Sequence, residues 1–247
     1  MNAGPRHRFT VSGVLVHNCG FQGGVGAMKQ MDRSGTIPED ELQAVVDQWR
    51  AANPRIVKLW RDYETAAKTA IKERRTVRRG VREQISYAEL EARRAAAGGP
   101  VRPYSVREVA VEFSYEKGNL FVKLPSGRRL CYWGAKIREK DGREQIVYMG
   151  VNQTTKQWGT IETYGGKLVE NIVQATARDC LAVVLGRIAF MRYSIVMHVH
   201  DEVICDVPEM KTDAAERITA AMSEPIDWAP GLPLKGETYE AAYYMKD

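Results

Sequence analysis

Tyr193-Ser-Ile-Val-Met-His-Val-His-Asp-Glu-Val-Ile-Cys-Asp-Val207 sets two apolar runs rich in β-branched residues on either side of His200-Asp201-Glu202. That pattern predicts an antiparallel hairpin with two carboxylates at its tip. Carboxylates held at a rigid strand end suit Mg²⁺, which prefers oxygen ligands and usually takes only one or two from protein. Asp is also frequent in turns for purely structural reasons, so the tip alone leaves both readings open. A third reading takes His198 and His200, two residues apart on one strand face, as ligands of a zinc hydrolase. It lacks a third ligand, because the other histidines, His7 and His17, stand at the far end of the chain beside a different motif.

Upstream of the hairpin, Gly165-Gly166 opens a helix predicted to run to about Arg192. Leu168, Val169, Ile172, Val173 and Leu181 recur at helical spacing and are expected to face a core, with Lys167, Glu170 or Asn171, Gln174 and Arg178 on the opposite side. The stripe reads as an ordinary amphipathic surface, or as a helix laid along the minor groove of DNA. In that groove amide and guanidinium donors meet acceptors that look nearly alike in every sequence. Beyond the hairpin, Thr212 to Met222 reads as a closing helix.

Toward the amino terminus, Val106 to Val151 reads as a β meander punctuated by Glu116-Lys117-Gly118-Asn119, Pro125-Ser126-Gly127 and Lys140-Asp141-Gly142. Thr36-Ile37-Pro38-Glu39 has the form of a capping box before a helix carrying Leu42, Val45, Val46 and Trp49. Asn53-Pro54 stops that helix, and a second follows with Ile56, Leu59, Trp60, Tyr63, Ala67 and Ile71 on one face. A further helix is expected from Tyr87 to Ala97. Between them, Lys72, Arg74, Arg75, Arg78, Arg79 and Arg82 fall within eleven residues that hold one acid, Glu73, which reads as a solvated helix or loop face or as a phosphate-contacting stretch.

At 247 residues, 44% hydrophobic and 27% charged, the chain has enough apolar mass for real cores, which excludes disorder as the default. A net charge of +5 suits a polyanionic partner without requiring one. The four cysteines are far apart and form no C-x-x-C, which argues against a zinc knuckle or a disulfide framework. No apolar run approaches the ~20 residues of a membrane span, and Met-Asn-Ala-Gly-Pro-Arg-His-Arg lacks the apolar core of a signal peptide, so a soluble, cytoplasmic protein is expected.

Gly20-Phe-Gln-Gly-Gly-Val-Gly-Ala-Met28, Leu124-Pro-Ser-Gly-Arg-Arg-Leu130, Tyr148-Met-Gly-Val-Asn152, Trp158-Gly159, Glu162-Thr-Tyr-Gly-Gly-Lys-Leu-Val-Glu-Asn-Ile-Val-Gln-Ala175 and Val199-His-Asp-Glu-Val203 resemble, in this order, the end of the fingers and the palm of phage-type family A, polymerase-I-like DNA polymerases. Trp228-Ala-Pro-Gly-Leu-Pro-Leu-Lys235 looks like that family's terminus. The resemblance covers residues 19 to 247. It implies that Asp201 is the second metal-binding aspartate, with Glu202 a secondary carboxylate and His200 near the primer end. It also implies that Gln174 touches the template-primer minor groove, with Lys167, Asn171 and Arg178 on the same stripe. Phe21 stands where the family has an aromatic, usually Tyr, closing over the nascent base pair.

The implied reaction is in-line attack of a primer 3′-hydroxyl on a deoxynucleoside triphosphate with two Mg²⁺ ions. The family's first metal-binding aspartate belongs upstream of the fingers helix, and nothing here resembles it. Asp62-Tyr63-Glu64 is similar but lies on the wrong side of Phe21. The site is therefore expected to be completed by an aspartate outside this chain.

Where the triphosphate-binding cations of that family belong, the chain has Pro5-Arg-His-Arg-Phe-Thr-Val-Ser-Gly-Val-Leu-Val-His-Asn-Cys19, which resembles the carboxy-terminal blocks of a hedgehog/intein-type intein. By that resemblance Cys19 accepts the upstream acyl chain as a thioester, Asn18 cyclises to cut the Asn18-Cys19 bond, and His17 assists. The expected architecture is α+β, a partial polymerase right hand. Residues 1–18 form a short β intein tail, 19–163 a fingers portion with a β insertion, and 164–247 a palm portion with the metal hairpin. Expected partners are template-primer DNA, deoxynucleoside triphosphates and an upstream polymerase/intein fragment, with no membrane. The alternative is a non-catalytic DNA-binding remnant.

Overall fold

The computed structural model describes residues 9–11, 14–16, 22–32, 37–84, 106–152 and 154–244. The elements are β1 (Phe9–Val11), β2 (Val14–Val16), α1 (Val25–Met31), α2 (Leu42–Ala52), α3 (Pro54–Glu73), β3 (Val77–Gln84), β4 (Val106–Glu116), β5 (Asn119–Lys123), β6 (Arg129–Lys140), β7 (Arg143–Val151), β8 (Trp158–Thr163), α4 (Gly165–Phe190), β9 (Ser194–Val199), β10 (Glu202–Asp206) and α5 (Ala214–Ser223). Strands and helices are segregated in sequence, as an α+β fold requires.

The centre is an antiparallel six-stranded sheet in the order β3-β4-β5-β6-β7-β8, each strand paired with its sequence neighbour. The meander is thus wider than its sequence pattern, gaining a strand at each edge. One face is apolar: Val77, Val111, Phe113, Leu120, Val122, Tyr132 and Ile146 are buried with Ala66, Ala67, Ala70 and Ile71 of α3 and with Leu168 and Ile172 of α4. Each fully buried Leu, Ile or Phe contributes about 1.5–3 kcal/mol, so this one cluster dominates the fold.

The basic stretch departs from its expected form. α3 ends at Glu73, Arg74 takes a left-handed conformation (φ +55°), and Arg78, Arg79 and Arg82 lie on edge strand β3 rather than on a helix or loop face. Charge on an edge strand discourages pairing with another chain. α2 starts at Leu42 behind Glu41, with no side-chain cap, and Glu39 pairs with Lys29 at 2.6 Å; Thr36 of the expected capping box lies outside the described residues. Asn53 and Pro54 do separate α2 from α3, Pro54 taking the first helical position. The helix expected over Tyr87–Ala97 lies outside the described residues.

α3 and α4 cross in near contact. A Cβ on Gly165 would lie 2.1 Å from the Trp60 carbonyl oxygen, so only glycine fits. There the first free N–H groups of α4 find acceptors: Gly165 donates to Glu64 Oε2 at 3.1 Å and Gly166 to Gln22 Oε1 at 2.9 Å. A carboxylate at a helix N-terminus also meets the positive end of the helix dipole, worth about 0.3–1 kcal/mol.

Candidate nucleic-acid interface and acidic hairpin

α4 carries both halves of the candidate site. Its first half packs Leu168, Val169 and Ile172 inward, as their spacing predicts, whereas Val173, expected in the core, is 50% exposed. The buried stripe is narrower than assumed, because the sheet covers only one side of the helix. On the open side, Asn171, Gln174, Ala175 and Arg178 line a cavity of about 470 Å³ together with Arg128, Leu130, Cys131, Tyr132 and Tyr148 from the sheet.

Arg128 sits in this wall because its guanidinium is fastened there. Nε donates to Asp179 Oδ1 at 2.6 Å and Nη2 to the Ala175 carbonyl at 2.8 Å, while Ser126 Oγ donates to Asp179 Oδ2 at 2.5 Å. The Leu124–Leu130 turn is thereby clamped onto α4. Asn171 Nδ2 donates to the Tyr132 hydroxyl at 3.0 Å, and burial pushes the Tyr132 phenol up to about 12 even though that bond opposes the shift.

The four stripe residues are therefore not equivalent. Gln174 and Arg178 are exposed, and no described residue engages either side chain. Asn171 has its amide directed to Tyr132. Lys167 does not line the cavity and pairs with Glu170 at 2.7 Å, a hydrogen bond that raises the ammonium pKa. Sequence reasoning missed Arg128, Tyr132, Tyr148 and Asp179 as members of the site. The turn signal Pro125-Ser126-Gly127 was legible, but its docking on a helix some fifty residues later is a long-range contact that no local pattern encodes.

The second half of α4 anchors the hairpin. Val184 and Ile188 are buried with Tyr193, Ala214 and Ile218, and Ile195, Val203 and Cys205 pack against them. Arg187 closes the unit by donating to the carbonyls of Ala221, Glu224 and Pro225 at the end of α5. Lone C-terminal carbonyls favour such a cation. β9 and β10 pair antiparallel with Val199 opposite Glu202, leaving His200-Asp201 as a two-residue turn.

His200 occupies that turn at φ +52°. It therefore does not share a strand face with His198, which pairs with Val203 within the ladder, and the zinc reading loses its geometry. Among the described residues no group of three or more His, Cys, Asp or Glu could hold a metal ion. Asp201 and Glu202 are exposed, and the only described partner of either is Tyr244, whose hydroxyl reaches Glu202 Oε2 at 3.4 Å. Two exposed carboxylates fit part of a Mg²⁺ shell in chemistry and number, and do not complete one.

The chain is 44% identical over 231 residues to the DNA polymerase of Bacillus phage SP02. That match takes in 92% of this chain and supports a polymerase fragment. The chain spans 31% of the length of that relative. No family model matches the chain, and no solved structure does.

His17, Asn18, Cys19 and Phe21 lie outside the described residues. β1 and β2 pair antiparallel, Phe9 opposite Val16 and Val11 opposite Val14. No helix among the described residues is long and apolar enough to cross a membrane.

Proposed function

We propose that the chain is the carboxy-terminal piece of a family A, phage-type DNA polymerase, with residues 19–163 serving as a fingers portion and 164–247 as a palm portion. The observation that carries this reading is the arrangement on α4. Gln174 and Arg178, which no described residue engages, face one cavity with Arg128, and the same helix leads into a hairpin that presents Asp201 at its tip. Similarity to a phage DNA polymerase over 92% of the chain supports it.

In this reading the α4 stripe follows the minor groove of template-primer duplex. Gln174 and Arg178 donate to acceptors common to all sequences, which suits an enzyme that copies any template. Asp201, with Glu202 beside it, binds Mg²⁺ in concert with an aspartate of an upstream fragment. The metal ions would lower the charge barrier at the attacking and leaving oxygens. His200 lies toward the primer end, and Phe21 stacks on the nascent base pair, a contact that needs its ring and not a hydroxyl. Both outer edges of the two-stranded β9–β10 sheet lack a partner among the described residues, and Val196 beside them is 60% exposed. A neighbouring palm strand from an upstream piece would pair with one of these edges.

Residues 1–18 are proposed to be an intein tail, removed by splicing at Asn18-Cys19. The β1–β2 pair ending just before His17 supports this, as does the position of the tail beside the expected nucleotide-binding helix.

Duplex binding by the full chain tests the groove. Gln174→Ala/Arg178→Ala should weaken binding of a labelled primer-template about tenfold or more, since each lost contact is worth roughly 1 kcal/mol. The wild-type chain alone should not extend the primer. Unchanged affinity of the double variant would refute the groove assignment.

A further inference from the structure

The sheet has a second face. Register places Phe121, Cys131, Trp133, Met149, Val151 and Trp158 opposite the helix-covered side, because Trp133 faces Met149 and Val151 faces Trp158 across β7. Trp133 is 60% exposed and Trp158 64%, far more than a large aromatic normally shows on a protein surface. From strand spacing and rise, their Cα atoms lie on the order of 12 Å apart.

Among the described side chains the charge of this face is one-sided. Arg78 and Lys123 share Glu112, Arg138 and Lys140 share Glu162, and Arg129 pairs with Glu116, so five cations meet three carboxylates. Lys136 and Arg143 lie on the same face by register, opposite Val147 and Lys140, and no described residue pairs with either. Arg129 stacks over the Phe121 ring, 3.9 Å from its centroid.

Val147 on this face is buried, but Trp133 and Trp158 are exposed, and exposed aromatics on an antiparallel sheet beside surplus cations have the chemistry of a platform for unpaired bases: rings stack on base faces of any sequence and cations track the phosphates. A duplex, whose bases are already stacked, cannot use the indoles. An apolar partner protein would not call for the cations. We propose that this face of the six-stranded sheet binds single-stranded DNA, with Trp133 and Trp158 as the stacking residues and Lys136 and Arg143 as phosphate contacts. The proposal stands on the sheet alone and does not depend on the hairpin or the α4 groove.

The test is fluorescence anisotropy of labelled dT20 with the full 247-residue chain at low salt. Wild type should bind, with affinity falling as salt rises. Trp133→Ala/Trp158→Ala should weaken binding about tenfold or more, because stacking contributes strongly per base. Trp133→Phe/Trp158→Phe should stay within about threefold of wild type, keeping the ring. Melting curves establish that each variant is folded; if the alanine pair is not, Lys136→Glu/Arg143→Glu carries the test with the same expected loss. Trp133→Ala/Trp158→Ala should leave binding of a blunt duplex within about threefold of wild type, which separates the two surfaces. The proposal is overturned if folded alanine or glutamate variants bind dT20 like wild type. It is also overturned if duplex binding falls equally, or if the alanine pair abolishes a dimer while dT20 binding persists.

Discussion

The Arg128 guanidinium meets the Asp179 carboxylate at 2.6 Å and fastens the turn between β5 and β6 to the middle of α4. The two partners are unequally placed, since the Asp179 side chain is 10% exposed and that of Arg128 45%. Loss of Arg128 strands a nearly buried carboxylate with Ser126 as its remaining partner. Loss of the Asp179 charge leaves a guanidinium that reaches water.

Arg128→Ala is therefore expected to destabilise the chain by about 2–3 kcal/mol, below the range for fully buried pairs because of its solvent access, and Asp179→Asn by about 1 kcal/mol. Urea unfolding of both variants measures this. Equal effects, or an Arg128→Ala cost under about 0.5 kcal/mol, would show that the clamp is decorative.

Burial raises the Tyr132 phenol to about 12, and the Tyr63 phenol is also raised to about 12 by burial, with Asp62 adding to it. The folded state holds these protons more tightly than the unfolded chain, whose tyrosines titrate near 10. Their stabilisation is complete below about pH 10 and is lost as pH rises toward 12. Melting temperature should fall steeply over that window, and Tyr132→Phe, though less stable at neutral pH through loss of the Asn171 contact, should show a shallower fall. Parallel curves for the two proteins from pH 8 to 11.5 would contradict this.

How much of this was legible in sequence depends on how local each signal is. The hairpin, the long helix after Gly165-Gly166 and the break at Asn53-Pro54 rest on periodicity and backbone chemistry within a few residues, and all three are present. β3 was hidden because an edge strand is charged where an inner strand is apolar, so Val77-Arg-Arg-Gly-Val lacks the usual alternation. α2 starts at Leu42, several residues beyond Pro38-Glu39, a boundary that local pattern does not resolve. His200 belonged to the turn rather than the strand, a one-residue boundary that periodicity does not resolve. Arg128 and Asp179 needed the fold itself.

The proposed splicing is testable by supplying an upstream intein fragment in trans. Asn18→Ala should block release of residues 1–18, because alanine has no side-chain amide to cyclise, and Cys19→Ala should stop acyl transfer. His17→Ala should slow cleavage without abolishing it. Intact mass of the ligated product reads the outcome. A joined product lacking residues 1–18 from the Asn18→Ala protein would show that the segment is a strand pair and nothing more.

Asp201 is the residue whose charge the proposed reaction cannot lose. Residues 19–247 would replace the matching stretch of the phage SP02 DNA polymerase, and primer extension by the chimera would be compared with and without Asp201→Asn, which removes the charge with little change of shape. The account predicts that the chimera extends a primer, and that Asp201→Asn lowers the rate by about a thousandfold or more while primer-template affinity stays within about threefold. Extension by the Asp201→Asn chimera within about tenfold of its parent would contradict the assignment of this hairpin as the metal site.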